Sequence, residues 1–220
     1  MITTPLPILQ ECSNLLKELS LDESTRRLGY FTTAVQFVLN EHRWKFPLKK
    51  VSLTPVAGQQ EYDLATLEPH YNPQWGIYLV VKDGDEMTSG DYETALDSSE
   101  DFFYLTPDHK KLGFSSDIDG TESIDVWLYT TLLSSDVSSS SDTLPFEIPE
   151  TVGTLIARYM KYLVHDGKRQ RYDARNALLD YKEQLEQLIT QSASTKIKGK
   201  PKRIPPLMTS LGFTRRYVSG

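Results

Sequence analysis

The chain of 220 residues has a single cysteine, Cys12, and no long apolar stretch. One cysteine excludes an intramolecular disulfide and a cysteine-based zinc cluster. The longest apolar run, Ile77 to Val81, is far too short to cross a bilayer. The N-terminal residues lack the basic start and apolar core of a secretory signal peptide. We therefore expect a protein that folds in a reducing cytoplasm, without a membrane segment. At this length the hydrophobic core needs no disulfide or metal to support it.

Acidic residues outnumber basic ones, giving a formal net charge of −6, but the charge is unevenly distributed. Residues 195–220 contain seven Lys or Arg and no acid, which leaves 17 basic and 30 acidic residues in the first 194 and a balance of −13. An acidic body repels nucleic acid, whereas a basic tail is attracted to an acidic surface. From charge alone, the tail is equally compatible with a solvated, disordered end.

Four stretches, two near each end of the chain, carry apolar residues at helical spacing. The N-terminal positions are Ile8, Cys12, Leu15 and Leu19, followed by Leu28, Phe31, Val35, Val38 and His42. The C-terminal positions are Val152, Leu155, Ile156, Tyr159, Met160 and Leu163, followed by Ala174, Leu178, Tyr181, Leu185 and Leu188. Ser20 and Glu23 fit a capping box, Pro149 suits a helix start, and Gly167 is predicted to end its helix in a left-handed conformation. Since neither pair can bury its apolar stripes alone, the pairs should pack together.

Between the helical pairs the apolar residues alternate, and clusters of Gly, Pro, Asp and Ser separate the alternating segments. The first alternating residues are Val51, Leu53, Tyr62 and Leu64, around a break at Pro55 and Gly58. The further predicted strands are Gly76 to Lys82, Asp91 to Leu96, Phe102 to Leu105 and Ser123 to Leu133. Without a helix-length segment among them, an antiparallel sheet is favoured over a parallel one. The serine-rich run from Ser134 to Asp142 is predicted to be a flexible linker.

The predicted fold is therefore of the α+β class. An antiparallel helical bundle is formed by residues 1–48 and 146–191, and an antiparallel β domain, residues 49–135, is inserted between them. A serine-rich linker covers residues 136–145, and residues 192–220 form a basic, extended C-terminal tail.

The sequence Asp117-Ile118-Asp119-Gly120-Thr121 resembles the nucleophile box of the haloacid-dehalogenase superfamily, in which the first carboxylate attacks phosphorus and the second handles the leaving-group proton. That box follows a buried parallel strand, but the residues before Asp117 are mostly polar and Glu122 stands where the pattern requires an apolar residue. Asp and Gly are also common in hairpin turns. We interpret the motif as a turn, and a phosphohydrolase built on Asp117 and Asp119 remains the third hypothesis.

Other catalytic or metal-binding patterns are weak. His42, His70, His109 and His165 are scattered, with no paired spacing and no acidic partner at ligand spacing. The acidic residues around Gly84 are predicted to form a solvated loop tip. There is no glycine-rich phosphate loop and no nucleophile elbow. We therefore expect no catalytic residues, no cofactor and no metal site.

Two segments resemble the head-to-tail adaptor (connector) proteins of tailed bacteriophages. Trp44 to Leu64, WKFPLKKVSLTPVAGQQEYDL, is similar to their helix-to-strand junction. Phe146 to Ile189, which begins FEIPETVGTLIARYMKYLVHDG, is similar to their C-terminal helical hairpin. The shared features are patterns of size and polarity rather than fixed catalytic residues.

The resemblance implies a structural role in the neck of the virion, for a protein made in the host bacterial cytoplasm. Such adaptors form a ring, commonly a dodecamer, beneath the portal protein. The ring extends the channel for double-stranded DNA, which passes without specific binding, and contacts tail or nozzle proteins. In several adaptors a C-terminal segment docks on the portal.

The tail composition suits that docking role. Apolar residues and prolines are interspersed among its charges, which is typical of a segment that becomes ordered on binding. The predicted portal-docking residues are Ile204, Pro205, Leu207, Met208, Leu211, Phe213, Arg215, Arg216 and Tyr217. The alternative is another virion protein of the tail or baseplate, whose β insertion binds a partner or a glycan.

Overall fold

The computed structural model describes residues 1–16, 24–95 and 101–194. The fold is mixed α+β, which confirms the predicted class. The long helices are α1 (Leu6–Leu16), α2 (Ser24–Glu41), α5 (Glu150–Gly167) and α6 (Arg171–Ser194), and the four-residue helices are α3 (Leu64–Leu67) and α4 (Tyr92–Ala95). The predicted capping box at Ser20 and Glu23 lies outside the described residues.

Helices from both ends of the chain share one hydrophobic cluster. Helix α5 packs against α1, α2 and α6. The apolar stripes identified in the sequence supply the buried side chains, including Phe31 and Val35 of α2, Leu155 of α5 and Tyr181 of α6. Phe37 stacks on Tyr159 with ring centroids 4.1 Å apart. The contact between distant helices follows from burial of stripes that each pair alone would leave in water.

The helix α5 ends differently from the prediction. It begins after Pro149, as expected, and continues through Gly167 with Lys168 at its C-terminal cap. The left-handed residue is Arg169, with φ 59°, rather than Gly167. A Cβ at Gly167 would lie 2.6 Å from the Tyr30 hydroxyl oxygen, so a substitution here requires the Tyr30 side chain to move.

The β part forms two four-stranded sheets rather than the single sheet predicted. The strands are β1 (Leu48–Leu53), β2 (Glu61–Asp63), β3 (Ile77–Lys82), β4 (Asp85–Glu86), β5 (Thr88–Ser89), β6 (Phe102–Leu105), β7 (Lys111–Phe114) and β8 (Ile124–Tyr129). The first sheet has the order β1-β8-β3-β4 and the second β2-β7-β6-β5. All neighbouring strands are antiparallel except β5 and β6, which are parallel.

Both sheets contribute to one buried cluster, separate from the helical one. Val80 and Val126 enter it from the first sheet, and Leu112 and Phe114 from the second. The predicted strand from Asp91 to Leu96 was wrong, because Tyr92–Ala95 is a helical turn. The Tyr92 ring packs edge-on against the Tyr104 ring, with 5.4 Å between the ring centroids. Because this contact needs only one side chain to face the sheet, a helical turn can make it as well as a strand.

The serine-rich segment is an ordered connection, not the flexible linker that the sequence predicted. It opens with a 3₁₀ turn, Ser134–Asp136. The Asp142 carboxylate then accepts hydrogen bonds from the backbone N–H groups of Ser138 and Ser139, each 2.7 Å long. The Leu6 N–H donates to the Ser140 carbonyl oxygen at 3.0 Å, which fastens the segment to the start of α1.

The end of helix α2 joins the helical part to the β part. The Trp75 indole N–H donates to the Leu39 carbonyl oxygen at 2.8 Å, and the Gln74 amide donates to the Asn40 carbonyl oxygen at 3.2 Å. The Trp44 indole N–H donates to the Val38 carbonyl oxygen at 2.7 Å. Since the last four carbonyls of a helix have no partner within it, the Trp75 and Gln74 side chains can fix the β part at the C-terminus of α2.

Candidate functional site

The Asp117 to Thr121 motif lies in a loop that connects the two sheets, between β7 and β8. It is a turn-forming loop, as predicted, but it does not close a hairpin, because β7 and β8 belong to different sheets. Asp119 Oδ1 accepts hydrogen bonds from the backbone N–H and the hydroxyl of Thr121, both 2.7 Å long. Glu122 accepts from the N–H groups of Asp119 and Gly120, which has φ 88°. These are the contacts by which Asp and Glu stabilise loops.

The two aspartates of the motif have separate, local partners. Asp117 Oδ1 accepts a hydrogen bond of 3.1 Å from the Gln60 side chain. The Thr121 hydroxyl and N–H lower the pKa of Asp119 below its ordinary value. The strand directly before the motif, β7, is not a parallel strand, since it pairs antiparallel on both sides. The geometry is that of a structural loop.

The predicted acidic loop tip is joined to this same region. Asp83, with φ 53°, accepts from the Ser123 N–H at 2.8 Å and donates its own N–H to the Ser123 carbonyl oxygen at 2.8 Å. Lys82 contacts Asp101 at 3.3 Å and Glu122 at 4.0 Å. The tip residues Asp85 and Glu86 are exposed. One end of the β part therefore presents carboxylates to solvent, compensated in part by Lys82.

A charged cluster at His70 is the group that the sequence analysis missed. His70 Nδ1 lies 2.9 Å from Glu68 Oε1, and Nε2 lies 3.1 Å from Asp136 Oδ1. Lys49 Nζ lies 2.6 Å from the other Glu68 oxygen, and the Glu68 side chain is only 4% exposed. A carboxylate on each ring nitrogen requires two N–H donors, so the arrangement fits a protonated imidazolium.

The directions in which the pKa values of His70 and Glu68 are shifted agree with that arrangement. Burial by itself would lower the pKa of His70, but the bonds to Glu68 and Asp136 raise it above its ordinary value. Burial by itself would raise the pKa of Glu68, but the bonds from Lys49 and His70 lower it below its ordinary value. Each group therefore stabilises the charged form of its neighbour.

The His70 cluster connects segments that are distant in sequence. Lys49 belongs to β1, Glu68 caps α3 and Asp136 lies in the 3₁₀ turn that leads towards α5. The His70 carbonyl oxygen also accepts from the Thr131 N–H at 2.7 Å. Glu68 and His70 are close in sequence and could have suggested half of the cluster. Asp136 is 66 residues from His70, so only the fold brings it there.

Among residues 1–16, 24–95 and 101–194, the structure contains no group of three or more His, Cys, Asp or Glu side chains arranged to hold a metal ion. Cys12 is fully buried, and burial raises the pKa of its thiol to about 12. The histidines other than His70 have different surroundings: His42 packs edge-on against Trp44, and His165 contacts the Gln170 side chain.

The nine predicted portal-docking residues, Ile204, Pro205, Leu207, Met208, Leu211, Phe213, Arg215, Arg216 and Tyr217, all lie outside the described residues. The structure places the point from which that segment departs, because α6 is described as far as Ser194.

Comparison with known proteins yields no family assignment. No protein-family model matches the chain, and no curated protein is significantly similar to it. In the part of the chain that the structure describes, none of the helices is long and apolar enough to span a bilayer.

Proposed function

We propose that this protein is a structural adaptor in the neck of a tailed-phage virion, without a catalytic role. The observation that carries the proposal is the shared core of α1, α2, α5 and α6. In the proposed architecture residues 1–48 and 146–191 form an antiparallel bundle, and the β part is an insertion. The sequence resemblance of Trp44 to Leu64 and Phe146 to Ile189 supports the same assignment.

The anchored junction supports a role in transmitting force. The β part is held at the end of α2 by Trp75 and Gln74, and at the 3₁₀ turn Ser134–Asp136 by the His70 cluster. Two separate attachments resist a hinge motion between the parts better than one. A protein that transmits force between a capsid and a tail requires such a rigid connection.

We propose that residues 192–220 dock on the portal protein. Residues 195–220, which follow the 24-residue helix α6, combine seven basic residues with the apolar side chains of Ile204, Leu207, Leu211 and Phe213. Prolines at 201, 205 and 206 favour an extended conformation and reduce the entropy lost on docking. An acidic groove on the portal is the complementary surface.

The ring itself, commonly a dodecamer, surrounds the DNA and meets tail or nozzle proteins on its other side. An acidic wall does not retain the phosphate backbone, so the duplex slides through it without specific binding. The acidic balance of −13 in the first 194 residues supports this assignment. A ring structure with a basic inner surface would argue against it.

The direct test is to mix the full chain with the cognate portal protein and to image the product by electron microscopy. We expect rings on the portal. Deletion of residues 195–220 should abolish docking while circular dichroism and thermal unfolding of the remaining protein stay unchanged. Substituting Leu207, Leu211 and Phe213 by serine should also abolish docking, whereas the matched control Thr209→Ser should not. Full docking of the deletion variant would overturn the proposal.

A second candidate, a tail or baseplate protein that binds through its β part, is favoured by one observation. Two large apolar side chains of the β part are exposed, Val56 at 52% and Tyr78 at 42%. Under this alternative, Val56→Asp and Tyr78→Asp would prevent incorporation into virions and removal of residues 195–220 would not. The adaptor proposal expects the reverse pattern.

A further inference from the structure

The outer face of α6 carries an apolar patch that is not covered within the described structure. Tyr172 is 77% exposed and Leu179 is 50% exposed. Since residues seven apart lie on the same face of a helix, these two side chains form one stripe, and Glu186 continues it. The opposite face, with Ala174 and Tyr181, is buried against the rest of the protein.

Two exposed charges flank Leu179 on this stripe. Arg175 lies four residues before it and Glu183 four residues after it, and both are exposed. Neither has an oppositely charged residue three or four positions away on α6, the spacing at which helical side chains meet. Within the described ranges neither forms an ion pair.

The stripe is therefore self-complementary about Leu179. If a second α6 lies antiparallel on the first with a two-fold axis at Leu179, a residue n positions before Leu179 faces the residue n positions after it. Arg175 then faces Glu183 of the second copy, and the second copy's Arg175 faces Glu183 in turn. Tyr172 of each copy covers the methylene groups of Glu186 of the other copy, and the two Leu179 side chains meet on the axis.

We propose that a second copy of this chain docks on this face, through an antiparallel, two-fold contact between α6 helices. An isologous contact of this kind uses one surface twice, so a single self-complementary stripe is sufficient. The contact extends over about four helical turns, which is small for a stable interface, and we expect a weak dimer that forms at roughly 100 µM protein and above.

This proposal does not depend on the neck function. A cyclic ring is assembled from head-to-tail contacts, whereas the α6 contact is two-fold, so it belongs to the free protein. Loss of portal binding would leave the dimer intact, and loss of the dimer would leave portal binding intact. The two proposals can therefore fail separately.

The proposed helix arrangement is tested by placing a cysteine at the two-fold axis. Packed helices lie about 8–10 Å apart, so Cα atoms that face each other across the axis come within about 6 Å, the span of a disulfide. Full-length Leu179→Cys should form a disulfide-linked dimer under mild oxidation. The matched control is Asp180→Cys, an exposed neighbour about 100° around the helix, which should not become disulfide-linked under the same oxidation. Buried Cys12 does not compete.

The charge pairing is tested by exchanging the charges at positions 175 and 183 and measuring the dimer dissociation constant of the full chain by sedimentation equilibrium. Arg175→Glu and Glu183→Arg, each alone, place two like-charge pairs across the axis and should weaken dimerisation roughly tenfold or more. The double variant exchanges the charges and should restore the wild-type dissociation constant. Any one of three results would overturn the proposal. They are equal cross-linking of the two cysteine variants, a wild type that stays monomeric up to 1 mM (roughly ten times the expected threshold), and a double variant that does not recover the wild-type dissociation constant. Circular dichroism of each variant verifies folding.

Discussion

Replacing His70 by glutamine tests whether its imidazole is held as a cation between Glu68 and Asp136. The substitution removes two hydrogen bonds to carboxylates, each worth about 1.5–3 kcal/mol. Lys49 still contacts Glu68, so that carboxylate keeps a partner. We therefore expect the variant to be less stable than the wild type by about 2–3 kcal/mol at pH 6, where the histidine is protonated.

This difference should depend on pH in a defined direction. The folded-state pKa of His70 is raised above that of the unfolded chain, about 6.5. Its contribution to stability is fully present below the unfolded pKa and is lost as the pH rises through the folded pKa. Between the two pKa values the wild type loses up to about 1.4 kcal/mol per pH unit relative to the variant.

The assay is urea unfolding of the wild type and His70→Gln at pH 6, 7, 8 and 9. His165→Gln is the control, because its ring contacts an uncharged glutamine side chain rather than a carboxylate. The free-energy gap between wild type and His70→Gln should narrow as the pH rises. A constant His70 gap across this range would refute the assignment of a protonated imidazole.

Four further outcomes are expected. Gly113→Ala should destabilise the protein by about 1–3 kcal/mol in thermal unfolding, because a Cβ there would lie 2.1 Å from the Tyr104 ring. If this clash is the cause, Gly113→Ala should cost no stability when it is made in a Tyr104→Ala background. Gly29→Ala, in mid-helix with nothing within 4 Å, should instead stabilise by up to about 1 kcal/mol. Asp119→Ala should lower stability through lost loop hydrogen bonds, with no change in phosphate release from a chromogenic ester in magnesium; a magnesium-dependent activity lost in the variant would contradict this. Buried Cys12 should react with a thiol reagent only upon unfolding in urea, and rapid labelling of the native chain would show that the α1 packing is wrong.

The spacing of apolar residues along the chain was sufficient to predict the long elements. The stripe containing Phe31 and Val35 predicts the buried face of α2, and that containing Leu155 predicts the buried face of α5, because burial of one helix face dictates apolar spacing. The strand from Phe102 to Leu105 was likewise predicted with its observed bounds. These elements are long or strongly apolar, so tertiary context does not alter them.

Short elements depended on tertiary contacts instead. Strand β7 was missed because it contains Gly113, a residue depleted in strands, which is accommodated here because the Tyr104 ring lies over it. The segment around Tyr92 alternates too briefly to distinguish a strand from a helical turn. Serines that suggested a flexible linker are fixed by Asp142.

The sequence by itself determined the α+β class, the apolar faces of the long helices and the turn-forming character of the Asp117 to Thr121 loop, since each follows from the spacing of neighbouring residues. Only the tertiary structure decided the division into two sheets, the left-handed Arg169 and the meeting of His70 with Asp136. The physical reason is that hydrogen bonds and charge pairs between distant segments have no periodicity. They form where the packing of the two cores brings the partners together.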